Sequence, residues 1–420
     1  MTADRAASTP ALDSARRAVE AVWRIEAARI VATLTRVTGD FALAEDVAQE
    51  ALAEALASWP SAGVPANPGA WLVAVGKRRA IDQWRRQARQ DERFAAIARD
   101  LEEGESGVWD RDAIEDDVLR LVFVACHPVL SREASIALTL RVVGGLTTEE
   151  IARAFLVPVA TVQQRIVRAK KTLAAAAIPF EVPEPDAYPA RLSAVLSVLY
   201  LIFNEGHAAS AGPHWMRADL GREALRLARV LAGLVPKEPE VHGLVALLAL
   251  TAARFPARLD AAGEPVLLAD QDRTRWDRGL IGLGRDALAR CDALGRGRGP
   301  YALQAAIAEC HDVAASVDDT DWERIVVLYE ALGRVAPSPI VELNRAVAVS
   351  MADGPEAALR IVDALDGALE GYAQLPGVLA ELLIRLGRTD EARGELARAA
   401  RLTSNARERA VFERKLAALA

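Results

Sequence analysis

The stretch Thr147–Lys171, TTEEIARAFLVPVATVQQRIVRAKK, reads as two short helices joined at a tight turn, with basic residues gathered at the far end. Thr147 followed three residues later by Glu150 is a capping box, so a helix begins there and turns Ile151, Ala154 and Phe155 inward. Pro158 ends the turn and pre-sets the next helix, because its ring fixes φ. From about Ala160 the second helix directs Val162, Ile166 and Ala169 inward and leaves Thr161, Gln163, Gln164, Arg165 and Arg168 outside. A recognition helix divides its residues in this way. Gln163 and Gln164 suit an adenine edge and Arg165 a guanine, with Arg168, Lys170 and Lys171 further along for phosphates. A helical hairpin with a basic end also arises for structural reasons alone, so the spacing by itself leaves DNA binding open.

The whole chain carries a net charge of -7, which is unexpected for a simple DNA-binding protein. Its 420 residues are too many for one small core and suit two or three domains. With 5% aromatic residues and abundant Ala, Leu, Arg and Glu, the composition predicts an all-α protein. Ala194–Phe203, the best apolar run, is too short to cross a bilayer. The N-terminal residues lack a signal-peptide core, so a cytoplasmic protein with no membrane partner is expected. Cys126, Cys291 and Cys310 lie far apart, which predicts no disulfide framework, no metal site and no cofactor, and fits a reducing compartment.

The charge is unevenly distributed. Lys77–Arg93 and Arg141–Lys171 are compact positive patches. Between them Leu101–Asp117 is acidic and lacks a sustained apolar period, which reads as a flexible linker. Pro179, Pro183, Pro185 and Pro189 mark a second break. The expected outline is a loose tail at 1–19, a domain at 20–100, a linker at 101–117, a small domain at 118–178, a Pro-rich linker at 179–189 and a long remainder at 190–420.

In the first domain, Val47, Ala51, Ala55 and Trp59 share one side of a helix, while Asp46, Glu50 and Glu54 form an acidic stripe on another. Like charges repel, so this stripe is either a solvated face or a surface for a basic protein. Asn67 and Pro68 signal the next helix start, and beyond Gly76 a broad positive face forms from Arg79, Arg86 and Arg93, nearly aligned, with Arg78, Arg85 and Arg89 on the adjoining strip. Trp71 reads as core, whereas Trp84 is divided between packing and stacking on unpaired bases.

An acidic AEDVAQEAL helix, then PGAWLVAVGKRRAIDQWRR, a linker and LTLRVVGGLTTEEIARAFLVPVATVQQRIVRAKKTL strongly resembles bacterial RNA polymerase sigma factors of the extracytoplasmic-function class over about residues 20–178. The resemblance implies two small helical sigma domains, region 2 and the region 4 helix-turn-helix, with region 3 replaced by the linker. It implies an alternative sigma factor that is not an enzyme and whose partners are core RNA polymerase and promoter DNA. Asp46, Gln49 and Glu50 would dock on the clamp helices of the β' subunit. Asn67, Lys77, Arg78, Arg79, Trp84, Arg85 and Arg86 would handle the melted −10 element. Thr161, Gln163, Gln164, Arg165, Arg168, Lys170 and Lys171 would read the −35 element. Leu156, Pro158 and Gln163-Gln164 depart from the usual family pattern, so no promoter sequence carries over.

Beyond residue 190, helical stretches begin at Thr320, Gly354 and Arg388, each 34 residues after the last, the period of tetratricopeptide helix pairs. Earlier copies are expected from Gly221 and Gly284. Such pairs stack into a concave surface for an unknown protein or peptide partner. YLIFNEGHAAS, HWMRADLGREALRLARVLAGL and LLADQDRTRWDRGLI add a resemblance to the sigma-factor subgroup with a tetratricopeptide-like C-terminal extension, which implies that the extension regulates or supports transcription. Asn204, Glu205 and His207, with Asp270, Asp272, Arg273, Arg275 and Asp277, have no accompanying nucleophile, phosphate loop or metal motif and read as a packed polar network or a ligand-contact surface. The alternative reading is a stand-alone helix-turn-helix regulator with a repeat-type sensor domain.

Overall fold

The computed structural model describes residues 8–88, 111–155, 157–176, 178–208, 215–365 and 367–419. It is all-α; among those residues the β pairing is one isolated antiparallel bridge, Leu259 to Pro265. The chain divides into two compact units, Met1–Val198 and Leu199–Ala420, each described by itself.

The first unit starts with α1 (Ser8–Thr38), which packs on α2 (Phe41–Ala62), α3 (Pro68–Ala88) and α4 (Arg111–Ala125). Residues 1–7 of the expected loose tail lie outside the described residues, while residues 8–19 are part of α1, on which Val19 and Trp23 are buried. Asp40 caps α2 by accepting from Ala42 N at 2.8 Å and Leu43 N at 3.1 Å, so the side chain satisfies donors the helix leaves open. Asn67 Oδ1 likewise accepts from Ala70 N at 3.1 Å at the head of α3. A Cβ on Gly76 would lie 2.8 Å from Leu34 Cδ1, so any larger residue there would make the Leu34 side chain shift where α3 approaches α1.

Residues 101–110 of the expected linker lie outside the described residues, and Arg111–Asp117 are helical rather than flexible. The physical reason is Asp117, fully buried and paired with Arg36 Nε at 2.7 Å and Arg120 Nη1 at 2.8 Å. A buried carboxylate needs such partners, and here they tie α4 to α1. Next come α5 (Arg132–Val142), α6 (Thr148–Phe155) and α7 (Val159–Ala175). In α5, Ala134–Leu140 are all buried, so this helix is the centre around which α4, α6 and α7 assemble.

The boundary between the units falls within α8 (Tyr188–His207). In the second unit, α9 (Ala218–Leu234) is strongly amphipathic and packs on α10 (Pro239–Ala253), which is buried on nearly every side. The α10 helix also contacts α11 (Arg278–Ala293) and α12 (Pro300–Val313). A Cβ on Gly243 would meet Ala302 N at 2.8 Å, so glycine allows the close α10–α12 crossing. Three helix pairs follow: α13 (Trp322–Val335) with α14 (Pro339–Ala352), α15 (Pro355–Asp363) with α16 (Gln374–Arg385), and α17 (Thr389–Leu402) with α18 (Ala406–Ala417). Apolar clusters join each pair to the next: Leu343, Ala346 and Val349 pack with Ala358, Val362 and Leu382. No helix among the described residues is long and apolar enough to cross a membrane.

Candidate nucleic-acid interface

The capping box forms as its residue types require: Glu150 N donates to Thr147 Oγ1 at 3.1 Å, and Thr147 N donates to Glu150 Oε2 at 2.8 Å. Pro158 stands at the N-cap of α7 with φ of -58°. Val162, Ile166, Ala169 and Leu173 are buried, which turns the opposite face of α7 outward. Gln163, Gln164, Arg168 and Lys171 are exposed, and Thr161 and Arg165 are half-buried. Ile151 is buried and Phe155 half-buried as expected, while the Ala154 side chain and Leu156 lie outside the described residues.

Lys170 does not share the outward face. Its ammonium, 15% exposed, donates to Glu45 Oε2 and, at 2.9 Å, to Asp46 Oδ1 on α2. Arg141 Nε lies 3.4 Å from Glu45 Oε1 and completes the cluster. Glu45 is only 5% exposed, so two cations around it compensate for lost hydration. Burial alone would lower the Lys170 ammonium, but the charges and hydrogen bonds of Glu45 and Asp46 outweigh it and hold it above its ordinary value. A residue expected at DNA thus sits against one expected at the polymerase.

The acidic stripe and the positive face also meet. Arg79 Nη2 donates to Glu54 Oε2 at 2.6 Å, and its Nε lies 4.0 Å from Glu50 Oε2. Hydrogen bonding and charge from Glu54 hold the Arg79 guanidinium above its ordinary value. Arg78 and Arg85 are exposed and Lys77 half-buried, while the Arg86 side chain, Arg89 and Arg93 lie outside the described residues. Asp46 and Glu50 are exposed; Gln49 is half-buried, and its Nε2 is buried without a hydrogen-bond partner.

Trp84 corrects one expectation. Its ring is 4% exposed and therefore packs in the core, with no face open to a base. Trp71 is half-buried and meets Trp59 edge-on at 5.5 Å between centroids, which clamps the two ends of the loop before α3. Sequence reasoning missed Glu45 and Arg141. The available signal was a glutamate set on the apolar side of α2, beside Ala44, Val47 and Ala48, where a charge requires a tertiary partner.

Residues 23–90 match the sigma-70 region 2 family and residues 120–173 the sigma-70 region 4 family. A probable ECF RNA polymerase sigma factor, SigI of Mycobacterium tuberculosis, is 28% identical over 159 residues, covering 37% of this chain and 54% of that protein. With a region 2 match followed by a region 4 match, the first unit is similar to ECF-type sigma factors. The region 2 match runs through α2 and α3, and the region 4 match contains the helix-turn-helix of α6 and α7. Residues 191–292 match a family of unknown function, DUF6596. An uncharacterised protein of Rhizobium meliloti (strain 1021) is 48% identical over 393 residues, 92% of each chain. No solved structure matches. The two sigma-70 region matches and the ECF relative support a sigma-factor role in transcription initiation.

Proposed function

We propose that this sigma factor binds core RNA polymerase through Asp46, Gln49 and Glu50 on the β' clamp helices and directs it to promoters with −35 and −10 elements. The observation that carries the reading is the outward face of α7, where Gln163, Gln164 and Arg168 stand exposed above a buried Val162 and Ile166. Amide and guanidinium groups at the start of such a helix suit base edges in the major groove, while Arg168 and Lys171 suit phosphates. Arg78 and Arg85, exposed on α3, suit the backbone of the melted −10 strand.

In this reading polymerase displaces Lys170 from Asp46, which frees the acidic residue for docking and the cation for DNA at the same time. Net negative charge and few phosphate contacts then keep binding weak until polymerase holds both regions on one promoter. The helix pairs of the second unit act as a tetratricopeptide-like module that regulates or supports initiation, with segments 20–100 and 118–178 as the working sigma regions. Run-off transcription with core polymerase, the purified chain and a candidate promoter tests the proposal. Initiation that does not depend on the chain overturns it, and tight operator binding without polymerase favours a stand-alone regulator instead.

A further inference from the structure

We propose that the second unit binds a small organic carboxylate with an apolar body, in a cavity of about 500 Å³ whose wall includes Arg254, Asn204, His207 and His311. Its size falls in the range of cavities that enclose drug-sized ligands, roughly 300 to 1,000 Å³. Elements α8, α10, α12, α13 and α14 all contribute to the wall, so the site is built by long-range packing within one unit.

The wall is chemically one-sided. Among the described lining residues there is no aspartate or glutamate, and Arg254 is the one guanidinium. Burial pushes His311 down to about 3 and the Tyr329 phenol up to about 12, so both are neutral at physiological pH. Arg254 therefore carries the charge that an entering ligand meets.

Behind the wall positive charge is in excess. Arg254 Nε lies 3.6 Å from Asp312, while Arg258 Nη1 donates to His207 Nδ1 at 2.7 Å and Arg273 Nη1 to the carbonyls of His311 and Ala314 at 2.6 and 2.8 Å. The buried Asp312 carboxylate thus lies in the field of Arg254, Arg273 and Arg278, three guanidinium groups to one carboxylate. Arg258 Nε and Arg273 Nη2 are buried without partners, and burial with the nearby Arg254 charge pushes the Arg258 guanidinium down to about 9. Such a region favours an anion over a neutral molecule and excludes an amine.

The remainder of the wall selects the class of anion. Phe203, Leu247, Ile307 and Leu332 supply apolar surface, which suits a hydrocarbon body. A single planar guanidinium on the wall matches a carboxylate in its two-pronged geometry, whereas a dianionic phosphate calls for several cations. The first turn of α14, at Ser338 and Ile340, adds the positive end of a helix dipole to the same cavity.

The test is calorimetric titration of the full chain with octanoate, benzoate and phenylacetate, against octylamine and octanol as controls of equal length. Saturable binding of at least one carboxylate is expected, at least tenfold weaker in Arg254→Gln and lost in Ala308→Phe, which places a ring in the cavity. Asn344→Asp serves where Arg254→Gln fails to fold: Asn344 is exposed on the wall, and the new charge is expected to weaken the carboxylate at least fivefold and leave octanol unchanged. No binding of any carboxylate, octanoate binding no tighter than octylamine or octanol, or an Asn344→Asp chain with unchanged affinity overturns the proposal. The readout involves neither polymerase nor DNA, so its failure is separate from failure of the sigma-factor reading.

Discussion

The Lys170 ammonium on α7 lies 2.9 Å from the Asp46 carboxylate on α2, so the second helix of the helix-turn-helix and the acidic stripe are joined within one compact unit. Glu45, nearly buried beneath them, bonds the same ammonium. Lys170→Ala leaves Glu45 with Arg141 alone and is expected to destabilise the first unit by about 2 kcal/mol, because an underpaired buried charge is costly. Glu45→Gln in the same chain should recover much of that loss, giving a coupling of about 1 kcal/mol or more in a urea-denaturation double-mutant cycle.

Asp46 is exposed, so Asp46→Ala should change stability by less than about 0.5 kcal/mol. Its effect belongs to the polymerase: a loss of about tenfold in affinity for core enzyme, or about 1.4 kcal/mol, is expected in a fluorescence competition assay. Unchanged affinity would remove Asp46 from the docking surface.

Arg168→Ala should weaken promoter-complex formation at every −35 sequence, since a phosphate contact carries no sequence information. Gln164→Ala should instead relax discrimination at one base pair by about 1 to 3 kcal/mol. Transcription from a library of −35 variants separates the two patterns.

Trp84→Phe should retain promoter opening, because the ring is packed rather than presented to bases. Trp84→Ala should cost about 3 to 5 kcal/mol by opening a cavity. Permanganate footprinting at the −10 element, alongside thermal unfolding, distinguishes this from a stacking role, in which Trp84→Phe would impair opening at full stability.

Acid should destabilise the second unit. Burial holds His207 well below its ordinary 6.5 and His311 at about 3, so below pH 6.5 the unfolded chain takes up protons that the folded one refuses, and stability is lost as pH falls. Asp312, raised from 3.8 to about 6 by burial, acts oppositely between those values by keeping its proton when folded. Two imidazoles against one carboxyl leave a net loss on acidification, at up to about 1.4 kcal/mol per pH unit for each uncompensated proton. Urea midpoints at pH 7.5 and 5 check the sign, and His311→Gln should flatten the dependence.

Much of the candidate site was legible because it is local. The capping box at Thr147 and Glu150, the turn at Pro158 and the inward Val162 and Ile166 depend on spacing along a helix, and spacing is written in the chain. Leu101–Asp117 reads as a linker because nothing nearby in sequence shows that Arg36 neutralises Asp117. Trp84 looked equally suited to core and surface, since its flanks, Gln83 and Arg85, point elsewhere on the helix.

The sequence by itself determined the helices, their caps, the order of the sigma regions and the outward face of α7, all of which follow from short-range periodicity and propensity. Only the tertiary structure decided that Lys170 faces Glu45 and Asp46, that Trp84 is enclosed, and that Asn204, His207, Arg254 and His311 line one cavity. Those relationships join residues far apart in the chain, where burial and charge pairing across helices, rather than local pattern, select the partner.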